Sequence, residues 1–332
     1  MGMARYTVRR LLQSIPVLVG IATITFLLIN AIPGDPIRIM VGPNADASMI
    51  EAMRARYGLD EPIHIRYVKY LASLVQGDMG RSIHYGVPVA QKIAERLPVT
   101  VLLLISSFTF AIVTAVPMGV YSAQRRNELP DHLSRVLGLI GVSTPSFWIG
   151  LMLIIIFSFH TGLLPSTSLI MPWADPATVD EASDAVGVLV VSLKHLIMPT
   201  ITLGTLQMAA IMRVQRSSML EVLQQDYVQL ARAFGVRERT ILRKHAFRNA
   251  QLPVITIIGL QVTTALGGSV LTETVFNING MGRLIITAIN NQDYPLVMGT
   301  TLFFGFMFVI GVIITDLSYA YIDPRVTYDE VD

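Results

Sequence analysis

From residue 97 to residue 121 the chain runs without a single charged side chain. Roughly 20 mostly apolar residues are what a helix needs to cross a bilayer. Five further segments repeat the pattern, at 11–32, 136–159, 196–212, 252–272 and 295–315. Composition agrees: 52% of the 332 residues are apolar and 14% are charged, against about 25% charged in an ordinary soluble domain. A soluble fold cannot hide that much apolar surface and still coat itself in charge. A disordered chain, a nucleic-acid-binding domain and most cytosolic enzymes are therefore excluded. The expected fold class is all-α, a polytopic membrane protein with six transmembrane helices. A net charge of +2 says little about partners, and with no Cys the chain has no disulfide, thiolate metal site or cysteine nucleophile.

Several spans contain breakers: Pro16, Gly20, Pro117, Pro145, Pro199, Gly267 and Gly268. Such breaks either shape a path through a bundle or let helices pack closely. Ser143, Thr144 and Ser146 around Pro145 could line a polar path or satisfy kinked backbone; Gln261 and Thr264 in the fifth span are further path candidates. The first span has the basic start of a signal peptide (Arg5, Arg9, Arg10). Its apolar stretch is too long and lacks a small-residue cleavage pattern, so it reads as a retained helix. Lys and Arg concentrate in the N-terminus, around Arg125, Arg126 and Arg135, and in 213–250. The loop 160–192 has no Lys or Arg but carries Asp175, Asp180, Glu181 and Asp184. Both termini are therefore expected in the cytoplasm. That parity puts 33–96 outside despite its basic residues, since long segments translocate largely regardless of charge.

The expected organisation is a first helix in 1–32, an external helical segment 33–96, a five-helix core 97–322 and a cytoplasmic tail 323–332. In the external segment Ser48-Met49-Ile50-Glu51 has the form of a capping box, and Gly58 would stop that helix. A second helix opens near Asp60–Pro62 and runs to Gln76; Tyr67, Tyr70, Leu71 and Leu74 share its apolar face. That face either packs on the bundle or docks a partner. The acidic loop 170–187 has no evident role. Ionisable residues are scarce in the spans, and Lys194 and Glu273 near their ends read as helix-end anchors. This argues against a proton-coupled transporter. Only His160 and His195 approach a span, both at one rim, which is unlike a haem-bearing subunit.

Residues 213–250 are too long for a simple hairpin loop. Leu220, Leu223, Tyr227, Leu230 and Phe234 step by three and four, which predicts one helix ending at Gly235. A basic stretch from Arg237 to Arg248 follows. Two short helices joined at a glycine make an elbow that could transmit force from a soluble partner. The alternative is an interfacial helix resting its basic residues on anionic lipid headgroups.

The run Asp226-Tyr227-Val228-Gln229-Leu230-Ala231-Arg232-Ala233-Phe234-Gly235, followed by Arg243-Lys244-His245-Ala246-Phe247-Arg248-Asn249-Ala250-Gln251-Leu252-Pro253, resembles the "EAA" loop of binding-protein-dependent ABC importer permeases. It is most similar to the B-type subunit of the dipeptide/oligopeptide/nickel branch. Pro33-Gly34-Asp35-Pro36, Tyr57-Gly58-Leu59-Asp60, Gly77-Asp78-Met79-Gly80-Arg81-Ser82, Gly280-Met281-Gly282-Arg283-Leu284, Asp293-Tyr294-Pro295 and Asp323-Pro324-Arg325 extend the resemblance over nearly the whole chain. Gln229 and Leu230 depart from the general motif's Glu-Ala. The resemblance implies the type I ABC importer permease fold in a cell inner membrane and a short-peptide cargo; nickel chelates, glutathione, opines or oligosaccharides are alternatives. It implies that Tyr227, Leu230, Ala231, Arg232, Ala233, Phe234, Gly235 and Arg237 couple the chain to an ATPase. Arg81, Gly280, Gly282 and Arg283 would dock a binding protein or close an outer gate. The chain has no Gly-Lys pair and so no P-loop. No catalytic residue, metal or cofactor is expected in it. ATP and Mg would sit on two partner ATPase subunits, beside a second related permease subunit (a heterodimer) and an extracytoplasmic solute-binding protein. No nucleic acid partner is expected.

Overall fold

The computed structural model describes residues 3–31, 46–56 and 60–322. The side chains of 263, 264, 266, 268 and 316–322 are among those outside the described residues, as are the sequence motifs at 33–36, 57–59 and 323–325. Chain order gives α1 (Met3–Ala31), α2 (Ala47–Arg56), α3 (Ile63–Val75), α4 (Val89–Gln124), α5 (Leu129–Ser143) and α6 (Ser146–Leu153), the last continuing as a π-helical Ile154–His160. Then come α7 (Ala185–Leu223) and α8 (Asp226–Ala233). The short turn Glu238–Thr240 and the π-helical Ile241–Ala246 lead into α9 (Phe247–Val275), followed by α10 (Met281–Asn290) and α11 (Tyr294–Ile322). Among the described residues, the β pairing is one isolated bridge between Arg81 and Pro88.

Helices α1, α4, α7 and α11 are each long and apolar enough to span a bilayer, and α5 with α6 forms a fifth, broken candidate. The sixth expected span lies within α9, some of whose side chains are outside the described residues. The third span departs from expectation. It is not one helix over 136–159 but two, bent by 103° between Ser143 and Ser146. Thr144 is extended (φ −90°, ψ 127°) and Pro145 caps the next helix. A residue before proline is pushed out of the α region, and proline cannot donate the helical bond.

The chain divides into two compact units. One comprises Met1–Thr7, Val99–Asn279 and Ile310–Asp332, the other Val8–Pro98 and Gly280–Val309. In the first, α7 is the hub, packed against α5, α6 and α9. Glycines set the closeness of approach. A Cβ on Gly119 would come within 2.7 Å of the Gln215 side chain and 2.9 Å of the Met212 carbonyl. One on Gly204 would meet Phe110 and the Ser107 carbonyl, and one on Gly141 would meet Ala209. Lipid tails are as apolar as leucine, so helices in a bilayer associate through close contact that small residues permit. Ala111, Ala115, Ile211, Met212 and Val254 complete the buried seam. The acidic loop folds back on α7: Ser192 donates to the Ile170 carbonyl at 2.7 Å, and Val179 packs with Val188 and Val191. Two of its acids are caps, Asp175 accepting from the Ala177 amide and Asp184 from the Gly187 amide.

In the second unit α3 packs on α1. Phe26 lies 5.4 Å from the Tyr67 ring and 5.6 Å from the Tyr70 ring, and Thr23 shares a 2.6 Å hydrogen bond with Tyr67. Burial pushes the Tyr70 phenol up to about 12. Helix α2 starts two residues earlier than the capping box predicts. The Asp46 carbonyl accepts from the Met49 and Ile50 amides, so Ser48 lies inside the first turn. Ala47, the best helix former, takes the first helical position and hands the cap to Asp46. Val89, Ile93, Met281, Leu284, Ala288 and Leu296 form this unit's core.

Gly119→Ala should lower the thermal midpoint in detergent, an overpacking cost of about 1–3 kcal/mol. Gly20→Ala, where a Cβ meets nothing within 4 Å, should match or slightly exceed wild type. Equal midpoints for the two variants would contradict the glycine seam.

Candidate functional site

The segment between α7 and α9 is built differently from its periodicity. Helix α7 stops at Leu223, Gln225 is extended (φ −69°, ψ 147°), and α8 begins at Asp226. The single helix expected through Leu220, Leu223, Tyr227, Leu230 and Phe234 is thus two. Leu220 and Leu223 pack with Met219, Ala246 and Ala250. Tyr227, Leu230 and Phe234 are exposed instead, Leu230 by 58% and Phe234 by 79%. Asp226 favours a fresh start, because an acidic residue in a first turn meets the positive end of the helix dipole. The Gln229 side-chain Nε2 donates back to the Gln224 carbonyl at 3.2 Å, satisfying backbone freed by the break.

Gly235 closes α8 with φ +72°. Its amide donates to the Arg232 carbonyl and the next amide, of Val236, to the Ala231 carbonyl. This is a Schellman-type stop that needs a left-handed residue. A Cβ here meets nothing within 4 Å, so the requirement is conformational and not spatial. Arg232 forks onto Glu238 across the turn, Nε at 3.2 Å and Nη2 at 2.8 Å. The guanidinium holds the Glu238 carboxyl below its ordinary range, and the carboxylate raises Arg232 in turn. Arg232 is therefore committed to its own chain, while Arg237 stands exposed just before the Glu238–Thr240 turn. Val228 is fully buried, Ala231 half-buried and Ala233 exposed. The Asn249 amide donates to the Tyr227 hydroxyl at 2.8 Å, tying α8 to α9. Bonds on both sides of the turn fix an elbow whose tip is apolar and aromatic.

One supporting interaction escaped the sequence reading. Asp131 is fully buried at the start of α5. Arg216 on α7 grips it through Nε at 2.6 Å and Nη2 at 2.9 Å. The Ser122 hydroxyl and Asn127 amide donate to the same carboxylate, at 2.7 and 2.9 Å. Counting Arg216 among surface cations hid it; the signal was an acid just after Pro130 at a helix start.

The path candidates fall partly together. Ser143, Thr144 and Ser146 meet at the α5–α6 bend, and Gln261 stands half-buried on α9. The Thr264 side chain lies outside the described residues. Glu273 departs from its reading as a helix-end anchor. It is fully buried and accepts a 2.7 Å hydrogen bond from Thr100. A buried carboxylate needs such partners, which an anchor at a lipid surface would not.

The docking or gate candidates lie in one compact unit, where Met79 packs against the core that holds Met281 and Leu284. Arg81 is exposed and donates to the Gly86 carbonyl at 2.6 Å. Gly280 caps α10, Gly282 is buried, and Arg283 is half-buried. Asp293 fastens the turn at 82–84 to the start of α11. Fully buried, it accepts from the Ser82 hydroxyl, from the Ile83 and His84 amides at 3.1 and 3.0 Å, and from the Leu296 amide at 3.2 Å.

Against known proteins, residues 115–328 match a family described as "Binding-protein-dependent transport system inner membrane component", and residues 3–103 match its N-terminal component. The oligopeptide transport system permease protein AppB of Bacillus subtilis is 39% identical over 98% of this chain and 100% of its own length. The dipeptide transport system permease protein DppB of Alkalihalophilus pseudofirmus is 40% identical over 98% and 100%. The glutathione transport system permease protein GsiC of Escherichia coli K12 is 38% identical over the same shares. A chain from inward-facing structures of the MetNI methionine ABC transporter superposes with a TM-score of 0.53 at 17% identity, covering 70% of this chain and 97% of that one. That likeness concerns the fold alone, and it agrees with the expected permease architecture.

Asp131→Ala should destabilise by about 1–3 kcal/mol, because it leaves the half-buried Arg216 guanidinium without its partner; unfolding in detergent measures this. Glu238 is held below its ordinary 4.5, so its pairing energy is present above that value and is lost as pH falls through the lowered one. Protection factors across 232–238, with the observed exchange divided into the intrinsic rate at each pH, should stay flat from pH 6 to 8 and fall only in acid, below the ordinary Glu value.

Proposed function

Because this chain belongs to the binding-protein-dependent transport system inner membrane component family, we propose that it is the transmembrane permease subunit of an ATP-driven ABC importer for short peptides. Full-length likeness to oligopeptide and dipeptide permeases carries the peptide reading. The chain is a multi-pass inner-membrane protein. Both termini lie in the cytoplasm, 33–96 faces outward and 213–250 faces inward. A second related permease completes the path, two P-loop ATPases bind ATP and Mg below it, and a solute-binding protein delivers cargo from outside. The chain itself hydrolyses nothing.

The elbow is the coupling element in this reading. The exposed Phe234 and Leu230 seat in an ATPase groove, with Arg237 toward an acidic rim. The Arg232–Glu238 fork and the Tyr227–Asn249 bond keep the tip rigid, so displacement passes to α7 and α9 and is not absorbed locally. The α5–α6 bend, with Ser143, Thr144 and Ser146, contributes polar groups to the path together with Gln261 and Thr264. Alternating access then moves cargo between the two permeases.

Glutathione is a second reading, favoured by 38% identity to a glutathione permease across the full length. Reconstitution with the partner subunits separates the two. Uptake of an α-linked tripeptide supports the first, and uptake of only the γ-linked tripeptide supports the second. Uptake without any ATPase subunit overturns both.

Gly235→Val places a β-branched residue at φ +72°, a strain of about 1–3 kcal/mol. The assembled complex should form normally but lose most of its transport-stimulated ATP hydrolysis; full stimulation would sink the coupling role. Arg283→Glu should weaken docking of the cargo-loaded binding protein at low salt, with a defect that shrinks as salt rises. Normal docking with leakage of cargo would assign Arg283 to the gate.

A further inference from the structure

Beside the elbow lies a feature that coupling does not use. An open cleft of about 1070 Å³ separates the last turns of α4 from the stretch that carries the elbow into α9. Val116, Met118 and Val120 line it on one side, and Leu242 and Phe247 on the other. Arg239 and Arg243 also line it, both exposed. We propose that this cleft binds an anionic phospholipid, with the acyl chain along the apolar lining and the phosphate on the two arginines.

Charge is the first argument. Glu238 is the acid in the lining, and Arg232 already neutralises it. Among the described residues neither Arg239 nor Arg243 has an acidic partner within 4 Å. The cleft therefore offers two uncompensated guanidinium groups, which suit a phosphate through paired donors. The second argument is the lining itself. A soluble anion gains nothing from valine, methionine, leucine and phenylalanine, whereas an acyl chain meets there a lining as apolar as the bilayer it leaves, so its phosphate reaches the arginines without loss of apolar contact. Depth is the third. The uncharged run of α4 reaches its last residue, Gln124, and the Arg125 guanidinium that follows lies 5.2 Å over the Tyr121 ring. Aromatic rings and basic residues gather where hydrocarbon meets headgroups. From Val116 to Gln124 the cleft follows α4 for roughly 12 Å, enough to pass from acyl chain to phosphate. The π-helical run Ile241–Ala246 places Leu242 and Arg243 side by side in the lining, joining apolar and cationic contacts in one turn.

The test uses the full chain purified in mild detergent and read by native mass spectrometry. Phosphatidylglycerol and phosphatidylcholine of identical acyl chains are added in competition. Wild type should retain one phosphatidylglycerol with at least a tenfold preference. The double variant Arg239→Gln/Arg243→Gln should lose that preference. Lys244→Gln, an equal charge loss per site outside the lining, should keep it. Met118→Trp, which fills the apolar part and leaves both arginines, should lower retention of the lipid and keeps the proposal testable if the double variant misfolds. Any of these results would overturn it: an unchanged preference in the double variant, an equal loss in Lys244→Gln, full retention in Met118→Trp, or displacement of the lipid by millimolar inorganic phosphate. So would a photoreactive residue at Gln124 that crosslinks in native membranes to protein and not to lipid.

Discussion

A peptide group in hydrocarbon must find its hydrogen-bond partner inside the protein. That constraint decides the secondary structure before any side chain is considered, and it also decides where helices break. Each interruption here is accompanied by a local repair. Thr144 still donates its amide to the Ile140 carbonyl, and Pro145 has no amide to strand. Gln229 reaches back to the carbonyl of Gln224. The Ser168 amide, on the returning loop, finds the Phe276 carbonyl at the end of α9. At these three breaks, side chains or neighbouring turns complete the irregular backbone.

The same medium removes the usual reason for helices to associate, since contact with lipid is no worse than contact with leucine. Close fit and polar bonds replace it. The glycines of α4, α5 and α7 bring backbones together, and the part-buried Asp131–Arg216 fork adds a directional bond between α5 and α7. A pair of this kind offers little net stability over a well-packed apolar pair, but its geometry admits one register. It lies on the helix that leads into the elbow, so the same bond fixes the platform from which α8 projects.

Much of this was legible in the sequence. Long uncharged runs gave the spans, and Gly235 gave the turn. What escaped was interruption and pairing. A three-four step continues in register across a two-residue break, so Leu223 and Tyr227 read as one face although Gln225 is extended between them. Pro145 within an apolar run looks like a kink, and only the extended Thr144 turns it into a 103° bend. Burial of Glu273 and Asp293 depends on Thr100 and Ser82, more than 170 and 200 residues away, and periodicity carries no such information.

Helix α7 has 39 residues, about 58 Å of rod at 1.5 Å per residue. The hydrocarbon core is about 30 Å thick, so nearly half of the rod must project beyond it unless it tilts steeply. Its tightest clasp, at Gly204 and Gly119, lies between its two ends. A rod held at its waist is a crank: a tilt of about 5° at Gly204 sweeps Leu223, roughly 28 Å away, through about 2.5 Å. The opposite end, where Ser192 holds the Ile170 carbonyl of the acidic loop, swings the other way. Gearing of that kind needs no bending element, only a pivot too crowded to slip.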